Sequence, residues 1–354
     1  MPWSTKKLGE IVEKPEFKKA PIGSWPYVEI GDIDIENKSI IFKDKKSIRG
    51  AIIVPADSVL VSRVRPTRGA IVYIDKDYVV SSAFSILKPK LSESFSKFLF
   101  YWLGFSKNFF QYLQKKQKGS NYPSVRDKDI LNFKIHIPSL KIQQKIVERL
   151  DAIKKAQELN DKQIELAEEL FQNLLHRELY PKGKNWEMEK IGELCNIYQP
   201  KTITSAEILE EGPYKVYGAN GVIGYYNKYN HEDPEVLVTC RGATCGTINL
   251  SEPKCWITGN AMVVHPKIPN LSKIFLYFVL KKTNLSSTIT GAAQPQITRA
   301  SLSPFEIPLP LVETQRKIVE KLSVVQGYKK KLIEQKQKLQ ELFESVLNKS
   351  FQYS

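Results

Sequence analysis

Two stretches of the chain carry apolar residues at alternating steps of three and four. The first runs through Ile146, Leu150, Ile153, Ile164, Ala167, Phe171 and Leu174, with Gln157 and Asn160 at the polar seam positions between. The second runs through Ile318, Leu322, Val325, Leu332, Leu339, Phe343 and Val346, interrupted by Lys329 and Lys336. That spacing is the heptad seam of a coiled coil. Each stretch lacks proline and follows a Pro at its start, as helix beginnings do. Each predicts a helix of about 40 residues, about 60 Å long. Elsewhere the pattern shortens to period-two or continuous apolar runs. These predict strands at 59–63, 70–75 and 84–89, and again at 236–240, 247–250 and 262–266. One amphipathic helix is expected after each set, near 95–116 and 271–284, stopping at Gly119 and Gly291.

The two halves are copies of each other. Gln143-Gln-Lys-Ile-Val-Glu-Arg-Leu150 lies over Gln315-Arg-Lys-Ile-Val-Glu-Lys-Leu322, and Glu169-Leu-Phe171 over Glu341-Leu-Phe343. Trp3…Lys7-Leu-Gly-Glu10 pairs with Trp186…Lys190-Ile-Gly-Glu193, Val59-Leu-Val-Ser62 with Val236-Leu-Val-Thr239, and Gly119-Ser-Asn-Tyr-Pro123 with Gly291-Ala-Ala-Gln-Pro295. Matches in one fixed order identify an internal duplication. It divides the chain into a globular block at 1–137, a helix at 138–180, a second block at 181–308 and a second helix at 309–354. A lone seam helix must bury its apolar stripe, and its nearest partner is its own copy. Pseudo-two-fold symmetry makes that pair antiparallel. The expected fold is a mixed α+β one: two α/β domains separated by an antiparallel coiled coil whose seam is Ile146, Leu150, Ile153, Ile164, Phe171, Leu174, Ile318, Leu322, Val325, Leu332, Leu339 and Phe343.

Composition narrows the function. Among 354 residues the net charge is +15, which favours a polyanionic partner. Residues 1–137 hold 24 Lys+Arg against 14 Asp+Glu, whereas 181–308 hold 13 against 11. The first block can track phosphates by charge; the second must rely on placement. No apolar run approaches the roughly 20 residues of a membrane span, and the start MPWSTKKLGE has no apolar leader. A soluble cytoplasmic protein is expected. The four cysteines have no framework spacing, and Cys195, Cys240, Cys245 and Cys255 near His231 and His265 lack the short spacings that zinc needs. No phosphate-binding glycine loop is present. Asp34-Ile-Glu36-Asn-Lys38 has the outline of a nuclease metal cluster, but its second-block counterpart is missing, and surface charge explains it better.

Two loop pairs are the candidate DNA contacts. One is Arg63-Val-Arg65-Pro-Thr-Arg68-Gly69 and its counterpart Cys240-Arg241-Gly-Ala-Thr244-Cys-Gly246, with Arg65 over Gly242 and Val64 over Arg241. Arginine can grip guanine in a bidentate manner or clamp phosphate. The other is Lys118-Gly-Ser120-Asn121-Tyr122-Pro-Ser124-Val-Arg126 and Thr290-Gly-Ala-Ala-Gln294-Pro-Gln296-Ile-Thr298. Side-chain amides at Asn121, Gln294 and Gln296 suit adenine, Tyr122 suits stacking, and Lys118, Ser120 and Ser124 suit phosphates. Asn220 in Gly-Ala-Asn-Gly221 reads first as a hairpin turn residue.

The Trp…Lys-[Leu/Ile]-Gly-Glu starts, the Gly291-Ala-Ala-Gln-Pro-Gln-Ile297 loop and the paired Gln-x-Lys-Ile-Val-Glu-x-Leu helices resemble the specificity subunits of type I restriction-modification systems, over essentially the whole chain. The resemblance implies a non-catalytic subunit with two target recognition domains, each reading half of a bipartite sequence in double-stranded DNA. It implies a helical spacer that sets the gap, and two adenine-N6 methyltransferase subunits as partners, with translocase-nuclease subunits in a full restriction complex. S-adenosylmethionine, ATP and Mg²⁺ would then serve the partners, and this chain would bind no cofactor or metal. The alternative from another class is a coiled-coil scaffold that binds proteins at its ends.

Overall fold

The computed structural model describes residues 3–13, 18–24, 26–291 and 294–351. The chain forms two compact units, one from Met1–Asp161 with Gln335–Ser354 and one from Lys162–Glu334. This cuts across the four serial segments read from the sequence, because each long helix contributes one part to each unit.

In unit 1 the strands Phe84–Leu87, Ser58–Ser62 and Ile71–Ile74 form an antiparallel sheet in that order. Ser58–Ser62 is buried along its whole length, which is why its sequence reads as a continuous apolar run without alternation. A smaller sheet joins Lys18–Lys19, Ile52–Val54, Tyr78–Val80 and Tyr27–Val28. Its strands are too short to announce themselves by periodicity. The single helix expected near 95–116 is two helices, Ser96–Phe105 and Lys107–Lys116. Ser106 between them is extended, and its hydroxyl accepts a hydrogen bond from the Phe109 amide, capping the second helix. Val59, Val61, Leu87, Phe98, Trp102 and Phe109 make one core with Ile146, Leu150 and Ile153 of the first long helix and Phe343 and Leu347 of the second.

Unit 2 repeats the plan. Its sheet runs Cys195–Tyr198, Ala261–Pro266, Val236–Thr239, Ile248–Leu250. Helix Lys273–Lys282 follows, and its Phe275 and Phe278 pack with Val236, Val264, Phe171, Leu175, Ile318 and Leu322 in one core. The second helix of unit 1 shrinks here to the single turn Leu285–Thr288. Gly119 and Gly291 do not end the helices as expected. Both lie in the following loops with φ of +96° and +83°.

The long helices are Leu140–Glu178 and Val312–Phe351. Within unit 1, Gln157 donates to the Leu339 carbonyl (3.3 Å), and Asp161 pairs with Lys336 (2.8 Å). Within unit 2, Glu168 pairs with Lys329 and Glu178 with Lys321. In both units partners climb one helix as they descend the other, so the segments are antiparallel. Ile146, Leu150, Ile153, Phe171, Ile318, Leu322, Val325, Leu332 and Phe343 are buried, while Ile164, Leu174 and Leu339 are half-buried. Leu175 and Leu347 are buried instead of Leu174 and Val346. At these ends the helix packs on a whole domain, and the contact stripe widens beyond a coiled-coil seam.

A buried glutamine ties each long helix to its unit. The Gln143 carboxamide oxygen accepts from the Ser94 hydroxyl and the Phe95 amide, and its nitrogen donates to the carbonyls of Glu93 and Pro138. Gln315 repeats this with the Ser272 amide and the Asn270 and Pro310 carbonyls.

Candidate nucleic-acid interface

The two loops flagged in each half are zipped together by backbone hydrogen bonds. In unit 1, Val125 N donates to Arg63 O (2.9 Å), Arg65 N to Pro123 O (2.7 Å), and Lys118 and Ser124 bond reciprocally (2.9 Å each way). In unit 2, Ile297 N donates to Cys240 O (3.0 Å), Gly242 N to Pro295 O (3.2 Å), and Thr290 and Gln296 bond reciprocally (2.8 and 2.9 Å). The four links correspond one to one. They pin the backbone, with Gly119/Gly291 and Pro123/Pro295 shared, while most of the polar side chains between them differ. Such a rigid frame with exchangeable side chains suits a reading surface.

The frame sorts the candidates. Arg68, Lys118, Ser120, Asn121, Tyr122, Ser124, Arg241, Thr244, Gln294 and Gln296 are exposed. Tyr122 stands 71% exposed, with the Arg65 guanidinium 5.0 Å from its ring centroid. Arg65 itself is left-handed (φ +48°) at the start of the turn Pro66–Arg68. Three candidates have other partners. Arg63 pairs with Asp127 (3.0 Å) and donates to the Ser82 carbonyl, so it braces the loop. Arg126 is exposed but chelated by Asp129 at 2.9 and 3.1 Å. The Thr298 hydroxyl accepts from Ser301 N (3.1 Å) and caps the helix Arg299–Leu302. Ala292 and Ala293 of the second loop lie outside the described residues.

Two features escaped the sequence reading. Thr239 at the strand end donates its hydroxyl to the Ala219 carbonyl, which brings the hairpin tip to the loop of unit 2. Asn220 is therefore an exposed amide at the same surface, not only a turn residue. In unit 1 the hairpin Ile33–Asp34/Ser39–Ile40 props the loop from behind. The Lys38 ammonium donates to the Gly69 carbonyl (2.7 Å), facing the Phe105 and Phe110 rings at 5.9 and 5.8 Å. Burial pushes the Lys38 ammonium below its ordinary range, and the nearby Lys154 charge adds to the shift. Lys154, on the first long helix, donates to the Asn37 carbonyl (3.0 Å). The Asp34 carboxylate accepts from the amides of Glu36 and Asn37 and from the Asn37 side chain. The nuclease-like string is thus a turn and a strut.

Among the described residues no three His, Cys, Asp or Glu side chains converge on a metal-sized site. Cys195 is buried, which pushes its thiol up to about 12. No helix among the described residues is long and apolar enough to cross a membrane.

Residues 1–169 and 183–342 each match the type I restriction modification DNA specificity domain. The chain belongs to this family. It is a specificity subunit with two DNA sequence recognition domains. The type I restriction enzyme MjaVIII specificity subunit of Methanocaldococcus jannaschii is 25% identical over 98% of this chain and 90% of its own length. The fold is that of the type I S subunit from M. genitalium (TM-score 0.71, 17% identity, covering 99% of this chain and 96% of that one). It also matches the HsdS subunit from Thermoanaerobacter tengcongensis (TM-score 0.50, 22% identity, covering 99% and 96%). In this specificity subunit each matched segment contains one copy of the loop frame.

Proposed function

We propose that each unit reads one half of an interrupted, asymmetric target in double-stranded DNA. The observation that carries this is the loop frame, which recurs link for link in both units with mostly different exposed side chains. Arg65, Arg68, Asn121 and Tyr122 would read one half; Arg241, Gln294, Gln296 and Asn220 the other. Catalysis would belong to partners: two adenine-N6 methyltransferase subunits using S-adenosylmethionine, with ATP- and Mg²⁺-dependent translocase-nuclease subunits in a restriction complex. The partners would work in the cytoplasm, where the host DNA is.

A base-resolution map of adenine methylation, with and without this gene, tests the reading. One interrupted motif should vanish with the gene. Gln294→Ala with Gln296→Ala should relax one half of the motif and leave the other intact, since a good bidentate contact discriminates by about 1–3 kcal/mol. Arg65→Ala with Arg68→Ala should affect the opposite half. Uniform weakening on all sequences would make these residues phosphate contacts. An unchanged map would favour the scaffold alternative.

The long helices would set the interval between the halves. Deleting one heptad from each, at matched heights, removes about 10 Å of helix, or about three base pairs. The half-sites should stay the same while the gap shortens. An unchanged gap would refute the ruler.

A further inference from the structure

We propose that the two recognition units divide the labour: unit 1 grips the phosphate backbone through a cationic collar, and unit 2 reads its half-site mostly with uncharged groups and with little backbone grip. This rests on the DNA-reading function above and adds where the binding energy resides.

The loop frame aligns the units residue for residue. Arg65 and Arg68 of unit 1 fall on Gly242 and Cys245; Arg65 N and Gly242 N both take the proline carbonyl, and Arg68 N and Cys245 N both close the same turn. Lys118 falls on Thr290, since each makes the same reciprocal pair across its loop. Lys115 and Lys116 end the helix Lys107–Lys116, which unit 2 replaces with the uncharged turn Leu285–Thr288. That helix lies against the first loop, because a side-chain carbon added at Gly69 would sit 3.4 Å from Phe110. The result is a collar of Lys115, Lys116 and Lys118 beside the reading residues Arg65 and Arg68. Across the matching stretches 240–246, 285–288 and 290–298 of unit 2, Arg241 is the one charged residue.

The collar also makes no direct ion pair among the described residues. Lysines elsewhere find carboxylates: Lys6 with Glu93, Lys97 with Asp151, Lys215 with Glu252, Lys336 with Asp161. None of the three collar lysines forms an ion pair among the described residues, and the one carboxylate that feels the Lys116 charge, Asp129, is already chelated by Arg126. Lys115, Lys116, Lys118 and Arg68 are exposed. Like charges gathered without counterions repel one another, and a polyanion relieves that repulsion by releasing its own condensed cations. The nearly neutral surface of unit 2, with Gln294, Gln296, Thr244 and Asn220 beside Arg241, offers hydrogen bonds to base edges but no comparable counterion release.

The test is duplex binding by the full chain against salt, using a duplex that carries the motif found by the methylation map. Lys115→Gln/Lys116→Gln/Lys118→Gln should lower the slope of log affinity against log salt by up to about 2.7, at about 0.9 per phosphate contact. A fourfold rise in salt should then cost the variant about 40-fold less affinity than it costs the wild type. Arg241→Gln should change the slope by about 0.9 at most. The methylated motif should be unchanged in the lysine variant, and circular dichroism should report an unaltered fold. A slope change below about 1 in the folded lysine variant, or an equal change in both variants, would overturn the division of labour while leaving sequence reading intact. Failure of the wild-type chain to bind the motif duplex would overturn both.

Discussion

Replacing Gln143 with leucine should destabilise unit 1 by about 3–5 kcal/mol, and Gln315→Leu should do the same to unit 2. Each side chain is fully buried and is tied by its amide to three or four partners from the helix entry and the facing loop. Leucine fits the volume but leaves those groups without water or a partner, at about 1–3 kcal/mol each before relaxation. Gln143→Glu should be worse, because it sets a carboxylate against the Glu93 and Pro138 carbonyls. Urea unfolding reports the effect through the tryptophans, with buried Trp102 in unit 1 and half-buried Trp186 and Trp256 in unit 2. The damaged unit should unfold first, splitting the transition in two. A single transition at the wild-type midpoint would mean that the clamp contributes nothing.

The second large effect falls on reading and leaves stability nearly intact. Gly291→Ala should abolish recognition by unit 2 while lowering stability by only about 1–2 kcal/mol, the usual penalty for a side chain in the left-handed region. A Cβ there would stand 2.6 Å from the Gln294 carbonyl oxygen. That oxygen is backbone, so relief requires the loop carrying Gln294 and Gln296 to move against the Thr290–Gln296 bonds. Scrambling the half-site read by unit 2 should cost the wild-type chain about 1–3 kcal/mol per base pair, and the variant almost nothing. Gly119→Ala is the milder control, since its Cβ would lie 3.3 Å from the Tyr122 carbonyl. If Gly291→Ala keeps full discrimination, the loop is not the reader.

The duplication, the long helices and three strands of the main sheet in each unit were legible because each has a period or a repeat. The break at Ser106 was not. The run Phe98-Leu-Phe-Tyr-Trp-Leu103 is apolar all round, so no change of face marks where one helix stops. The shift from Leu174 to Leu175 and from Val346 to Leu347 depends on what the helix packs against, which its own pattern does not contain. At the site, the loops were found because arginine, glutamine and glycine cluster there in both copies. Their individual roles were not, because they are set by partners distant in sequence. Arg63 is captured by Asp127, Lys38 by Gly69, and Thr239 by Ala219. The carboxylates beside Arg63 and Arg126 were visible in the string Arg126-Asp-Lys-Asp129, but nothing local says which way they point.

The discontinuity of unit 1 bears on how the protein is made. Its core needs Phe343 and Leu347, which the ribosome supplies only after all of unit 2 has been synthesised. At about 5–20 residues per second, Ile146, Leu150 and Ile153 wait roughly 10–40 s for their partners. Unit 2, drawn from one unbroken stretch, has every core residue it requires before that wait is over. The downstream half of the gene therefore encodes the first unit able to finish folding, and the nascent upstream half is the one exposed to chaperones and proteases.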